Sequence, residues 1–376
     1  MRNTVGFTST CFCLIVSTGA YAQRAEQQVL GTSTTPTYME FEVPGSGTGL
    51  YQGTTADSVN TARTAAGYYL DSSDAAHGFV RAASGTITSF DALGAGTQNG
   101  QGTWVYSINS AGTTAGSYGD ARYIYHGFLR NASGTLVGFN VRGAGTGRYQ
   151  GTAVQSINAA GATTGDYIDA SYATHGFVRT ASGTITTFDA PGAGTGQDQG
   201  TAPLSLNNAG AIAGYVDASD VNHGFVRDAS GTITTFDASG AGTAAGQGTR
   251  ADCINSTGVI AGYYLDANNI YRGFVRDVSG TITSFQAPGA GTEEYQGTIT
   301  NAINKAGIIV GYYFDASNVE HGFVRAASGA AASFEVPGAG SGANQGTVAI
   351  AINADGVIAG DYIDTNSVIH GYLRIP

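Results

Sequence analysis

A histidine within reach of a carboxylate is acid–base machinery, and this sequence supplies that pairing over and over. His-Gly-Phe stands at His77, His126, His175, His223 and His321, with Arg272-Gly-Phe and His370-Gly-Tyr as variants. These sites use all six histidines of the chain. Six residues before each comes an aspartate: Asp71, Asp120, Asp169, Asp217, Asp266, Asp315 and Asp364. One active site does not need near-identical pairs in seven places, so the recurrence points to a structural duty. A hydrogen bond across a hairpin, or to a neighbouring unit, would meet it. The Arg closing each His-Gly-Phe-Val-Arg, such as Arg81 and Arg179, is expected to satisfy carbonyls or carboxylates between units.

Other reactive patterns are weaker. Gly-rich stretches such as PGAGTGQDQG lack both the following helix and the Gly-Lys-Ser/Thr of a phosphate cradle. No Asp loop reads D-x-D-x-D-G, and histidines spread around a ring do not converge on zinc. No metal and no cofactor is therefore expected. Cys11 and Cys13 fall in an N-terminal leader, which leaves Cys253 alone; Ser107 and Ser156 take its place in other units, so packing is its expected role.

The elements that must position these residues follow from the repeat. Gln-Gly-Thr begins at Gln52, Gln101, Gln150, Gln199, Gln247, Gln296 and Gln345, and an Asn stands eight residues after each Gln, from Asn60 to Asn353. A period of about 49 residues marks a stacked or ring-closed repeat fold. Each unit holds four strand-like runs separated by turn chemistry: QGT to IN, an Asn-x-x-Gly turn into a run such as VIAGYYLD, then HGFVR, then TITTFD. The longer Gly-rich connection after TITTFD crosses to the next unit, which makes QGT-to-IN the inner strand and TITTFD the outer one. The first run, Tyr38 to Val43, matches an outer strand, while the last unit ends at HGYLR without one. Pairing the two closes the ring. The predicted fold class is all-β: a seven-bladed β-propeller of four-stranded antiparallel blades, closed by an N-terminal outer strand on the C-terminal blade.

His-Gly-Phe-Val-Arg together with Ile-Asn-x-x-Gly-x-x-x-Gly resembles the repeat of the HAF-type probable extracellular repeat family of bacteria, with Gly where the name-giving tripeptide has Ala. The resemblance spans all seven units, roughly residues 38–376. It implies export and a β-rich repeat, and carries over no catalytic residue or cofactor.

The ends and the composition set location and partners. Arg2, an apolar Val5–Val16 stretch and Ala20-Tyr21-Ala22 read as a signal peptide over residues 1–22, with residues 23–37 a flexible lead-in and 38–376 a single propeller domain. The chain is expected outside the cytoplasm after cleavage near Ala22, with no membrane span. A net charge of −11 and a single lysine, Lys305, argue against nucleic acid as a partner. A monomer is expected.

Single sites require asymmetry, so residues that break the repeat are the better candidates for a ligand. Trp104 stands on an inner strand where most copies are small or aliphatic, Arg250 being the other exception. Arg63 replaces a turn Gly and Arg272 a His. Tyr123, Tyr125 and Tyr172 enrich two Asp-to-His loops; Glu293, Glu294 and Tyr295 enter one crossing loop, and Asp198 another. Aromatics beside carboxylates suit a sugar surface. The leading expectation is a secreted, non-catalytic propeller that binds a ligand, an extracellular glycan first, on the face carrying the Asp-to-His and crossing loops or at the channel mouth, with similar sites between blades adding avidity. The alternatives are a polysaccharide hydrolase or lyase built on Glu293, Glu294 and Asp198, and a structural or protein-docking scaffold.

Overall fold

Residues 35–376 are described in the computed structural model, and the regular elements among them are β-strands. The signal-peptide reading and nearly all of the lead-in lie outside the described residues. Strand β1 (Thr37–Phe41) starts one residue inside the segment expected as lead-in.

The first full unit shows how sequence becomes sheet. Strands β2 (Gly53–Val59), β3 (Ala65–Leu70), β4 (Ala76–Arg81) and β5 (Ile87–Phe90) pair in order, each antiparallel to the last. Asn60 sets the first turn: its Oδ1 accepts the Thr64 N–H at 3.1 Å, and its carbonyl accepts that of Arg63 at 3.0 Å. Arg63 sits there at φ 58°, in the left-handed region that Gly112 and Gly161 fill in the next two units. The pattern recurs as β6–β9 (residues 102–139), β10–β13 (151–188), β14–β17 (200–236), β18–β21 (248–285) and β22–β25 (297–334). The last strands, β26 (Gly346–Ile352), β27 (Ile358–Ile363) and β28 (Ile369–Ile375), find their fourth partner in β1, which pairs antiparallel from Thr37↔Ile375 to Phe41↔Gly371. All 28 strands join one closed, propeller-like sheet.

Neighbouring units lock through repeated side chains. The first strand of each unit packs beside that of the next, in a ring that β26 closes onto β2. Thr54 Oγ accepts the Val43 N–H at 3.1 Å, and Thr103, Thr152, Thr201, Thr249, Thr298 and Thr347 hold the start of their own crossing loops in the same way. Gly53, at φ 128°, is indispensable: a Cβ there would lie 1.9 Å from the Ile369 carbonyl oxygen. Outer-strand Phe90 meets Phe128 of the next unit edge-on at 6.1 Å, while Arg130 lies 4.4 Å over the Phe90 ring. Arg81, Arg179, Arg227, Arg276, Arg325 and Arg374 cap the preceding unit's Phe or its equivalent at 4.7–5.2 Å. Of the expected carbonyl or carboxylate partners, Arg179, Arg227 and Arg325 take a carbonyl, that of the next residue in their own chain at 3.2–3.4 Å, while the contact between units is the guanidinium face on an aromatic ring.

The asparagines complete a second closure. Asn60 Nδ2 donates to the Asn109 carbonyl at 3.1 Å, Asn109 to Asn158, and so on through Asn207, Asn255 and Asn304 to Asn353, which donates back to Asn60 at 2.8 Å. This ring of buried amides frames a cavity of about 370 Å³ at one mouth of the lumen. Asn207→Ala deletes the bond to Asn255 and the Oδ1 acceptor of the Ala209 and Ala211 N–H groups. A loss of about 2–3 kcal/mol in urea unfolding is expected, since three polar partners, one of them buried, are left unmet. A loss below about 0.5 kcal/mol would mean the ring is decorative.

Candidate ligand pocket beside the crossing loops

The Asp-to-His loops and the crossing loops meet on one face, as expected from strand direction. The Tyr149 N–H donates to the Tyr123 carbonyl at 2.7 Å, that of Tyr295 to Asn269 at 2.7 Å, and that of Asp198 to Tyr172 at 3.0 Å. Each crossing loop therefore rests on the Asp-to-His loop of the unit before it.

On this face the repeated histidines are braced between two acids. His77 Nε2 lies 3.3 Å from Asp71 Oδ2, its Nδ1 lies 2.9 Å from Asp91 Oδ1, and its ring stacks on Tyr69 at 4.9 Å. His175 sits between Asp169 and Asp189, His321 between Asp315 and Glu335, and His370 between Asp364 and Glu42. His126 bridges Asp120 and Asn140, and Arg272 reaches Asp266 at 3.0 Å. Burial alone would raise the Asp71 pKa, but hydrogen bonds from Ser73, the Ala75 amide and His77 outweigh it and hold the carboxyl below its ordinary range. His321 runs the other way: burial opposes its charge, while Glu335 and Asp315 push its pKa up. These groups are engaged with one another, as a structural role requires.

Asp217 departs from the expected pairing. Its unit is one residue shorter between Gly214 and Asp217 than the first is between Gly67 and Asp71. Asp217 therefore takes the register of Leu70, each lying opposite the Gly of its Gln-Gly-Thr. A two-residue hairpin at Ser219 and Asp220, both at positive φ, joins β15 (Ile212–Ala218) to β16 (Val221–Arg227). Asp217 accepts the Asp220 N–H, and His223 keeps only the Asp237 contact at 2.9 Å.

The repeat-breaking residues divide into two clusters. In the first, Trp104 meets Tyr125 edge-on at 6.1 Å, and Arg148 lies 4.0 Å over Tyr123 and 4.8 Å over Tyr149. Tyr172 donates its hydroxyl to the Arg148 carbonyl at 3.3 Å, with Asp198 beside it through the backbone bond noted above. The second surrounds a cavity of about 240 Å³ lined by Arg250, Tyr263, Tyr271, Tyr295, Asn222 and Asn269, among others. Tyr271 packs against Tyr263 at 5.5 Å and Tyr295 at 6.5 Å. Arg250 lies 4.2 Å over Tyr215, and its enclosed Nε faces Asp252 Oδ1 at 3.8 Å, an ion pair too long to be a hydrogen bond. Glu294 accepts from Asn269 Nδ2 at 2.8 Å, and the Glu293 backbone closes its own loop on Gln296. Glu293 and Glu294 thus sit on the rim of this cavity, away from the Tyr172–Asp198 contact.

Tyr215, Tyr263 and Tyr271 escaped sequence reasoning, as did a set of lumen acids: Asp57, Asp166, Asp252, Asp361 and Glu320. A signal was present. For Asp57 and Asp252 it is the fifth position of the inner strand, which runs Asp57, Tyr106, Gln155, Leu204, Asp252, Asn301, Ile350, a free choice inside a fixed frame, and all seven are half-buried. A β-bulge beside this position in every unit turns it out of the ladder.

No family model matches the chain, and no curated protein matches it. Solved structures do resemble it. A prolyl endopeptidase, one of two analysed for inter-domain dynamics in catalysis and specificity, aligns over 84% of this chain and 46% of its own at 9% identity and a TM-score of 0.56. The chain thus spans about half of that structure. The β-propeller domain of the Trilobed protease from Pyrococcus furiosus, with an open velcro topology, aligns over 86% and 95% at 8% identity and a TM-score of 0.49. The BP39L lectin from Burkholderia pseudomallei aligns over 85% and 94% at 8% identity and a TM-score of 0.48. At such identities a likeness speaks to fold alone; it is the closed sheet of repeated four-stranded units that is propeller-like.

Proposed function

We propose that the protein is an exported, seven-bladed ligand-binding propeller whose ligand is an extracellular glycan held in the pocket between Tyr263, Tyr271, Tyr295 and Arg250. The observation that carries this reading is the pocket itself. It is concave and asymmetric, with three tyrosine rings for stacking on sugar C–H faces and Asn222, Asn269 and Arg250 as fixed polar groups. Four antiparallel strands per unit and the β1–β28 closure support seven blades. The leader pattern and the HAF-type motifs support export. Binding is favoured over hydrolysis because Glu294 is tied to Asn269 while Asp198 sits beside Tyr172 in a different crossing.

Native affinity electrophoresis in gels holding a panel of soluble polysaccharides tests the reading. Retarded migration with intact polymer is expected, and Tyr271→Ala with Tyr295→Ala should cut retention at least tenfold, about 1.4 kcal/mol. A cleared zone would make the protein a depolymerase; free migration in every gel would remove the glycan.

A further inference from the structure

The lumen holds a second, differently charged surface that the glycan pocket does not use. Asp57 stands at the β2 bulge, between the ladder residues Thr55 and Ser58. Its Oδ2 is cut off from solvent and has no hydrogen-bond partner, although the rest of the side chain borders the lumen. Asp361 on β27 is only 8% exposed and acts electrostatically on Asp57. Thr55 presents its hydroxyl to Asp361 and to Tyr68. Glu320, at the start of a third strand, adds a second enclosed and unpartnered oxygen, Oε2, and faces Tyr312 and Asp361. The groups around these three acids are one another and the tyrosines Tyr68, Tyr106, Tyr312 and Tyr372. Among the described residues no Lys, Arg or His is paired with them; the nearest thing to a counter-charge on the inner strands, Arg250, is paired with Asp252 instead.

Asp57 and Glu320 each enclose a carboxylate oxygen without a donor, which is costly and persists where a positive group can sit. We propose that this stretch of the lumen binds an aliphatic ammonium chain, of polyamine type, with its charges on Asp57, Asp361 and Glu320 and its methylenes along Tyr68 and Tyr312. Ammonium fits better than a metal ion. No three His, Cys, Asp or Glu among the described residues are placed to hold a metal, whereas tyrosine faces attract ammonium and tolerate the alkyl linkers between charges. A chain-like cation can thread from the mouth framed by the asparagines, since Asp57 lies three residues, roughly 10 Å, up β2 from Asn60. The walls concentrate the negative field of the lumen, and Lys305 stands at that mouth as its single lysine.

Calorimetric titration of the whole protein with spermidine at pH 8 and moderate salt tests this, with magnesium as a charge-only control. Saturable binding near one equivalent is expected, at least tenfold weaker at pH 5.5 and at least tenfold weaker in the double variant Asp57→Asn, Asp361→Asn. Those substitutions remove buried charge that no cation neutralises, so the variant should fold, which thermal unfolding checks directly. The rim variant Glu293→Gln, Glu294→Gln should bind as the parent does. No heat with spermidine, equal heat with magnesium, or unaltered binding in the Asn variant would each overturn the proposal.

Discussion

Deleting residues 35–43 should cost more than 5 kcal/mol in urea unfolding and convert a single species into self-associating material. The segment is short but enters every layer of the closing unit. Its backbone pairs with β28 over five residues, and its loss bares that edge. Phe41 and Met39 leave the cluster built on Phe79, Val59 and Leu373, a loss of about 2 kcal/mol for each large side chain. Phe41 also meets Phe79 edge-on at 5.8 Å and lies under Arg81 at 4.9 Å. Glu40 accepts from the Tyr362 hydroxyl at 2.9 Å, and Glu42 braces His370 at 2.5 Å. Adding a peptide of residues 35–43 should restore part of the stability, because the vacated edge is specific in register. A truncated protein that stays monomeric and unfolds within about 1 kcal/mol of the parent would contradict ring closure by β1.

The second large effect has the opposite sign to ordinary acid denaturation. Burial pushes the Asp361 pKa up to about 7 against the Thr55 hydroxyl, which lowers it, and pushes that of Glu320 up to about 7; burial with Asp361 raises that of Asp57 as well. Between the ordinary carboxylate range and about 7 the folded chain therefore binds more protons than the unfolded chain. Stability from these groups is full below that window and falls as pH rises through it, by on the order of 4 kcal/mol for a shift the size of Asp361's. Asp57→Asn with Asp361→Asn should thus raise the melting temperature by several degrees at pH 8.5 and leave it nearly unchanged at pH 4. Melting curves over this range check it, and a variant destabilised at pH 8.5 would show that the acids are satisfied in a way the geometry does not provide.

Much of the fold was legible because the repeat writes the same physics seven times. Gln-Gly-Thr marks a glycine that no other residue can replace and a threonine that clamps the crossing loop. The unpaired outer strand at Tyr38–Val43 pointed to its partner by deficit. Less was legible where function depends on exceptions. For the arginines of His-Gly-Phe-Val-Arg the sequence points to carbonyls or carboxylates between units, whereas the partner one unit away is a ring and the carbonyls that Arg179, Arg227 and Arg325 reach are local. Asp217 looked equivalent to Asp71 because its spacing to His223 is conserved, while the missing residue upstream had already changed its register. Asp57 and Asp252 were hidden by the bulge, which reverses the facing that strict alternation would assign, whereas Asp166, Asp361 and Glu320 stand in regular register on other strands. Trp104 and Arg250 were flagged as oddities on inner strands, but only packing shows that they belong to separate clusters.

The binding stoichiometry of a short oligosaccharide, measured by isothermal titration on the polysaccharide that most retards the protein, tests the account most directly. One site per chain, abolished by Tyr271→Ala with Tyr295→Ala, is the result the asymmetric pocket predicts. Several equivalent sites, or one that survives those substitutions, would place recognition on the repeat itself and contradict it.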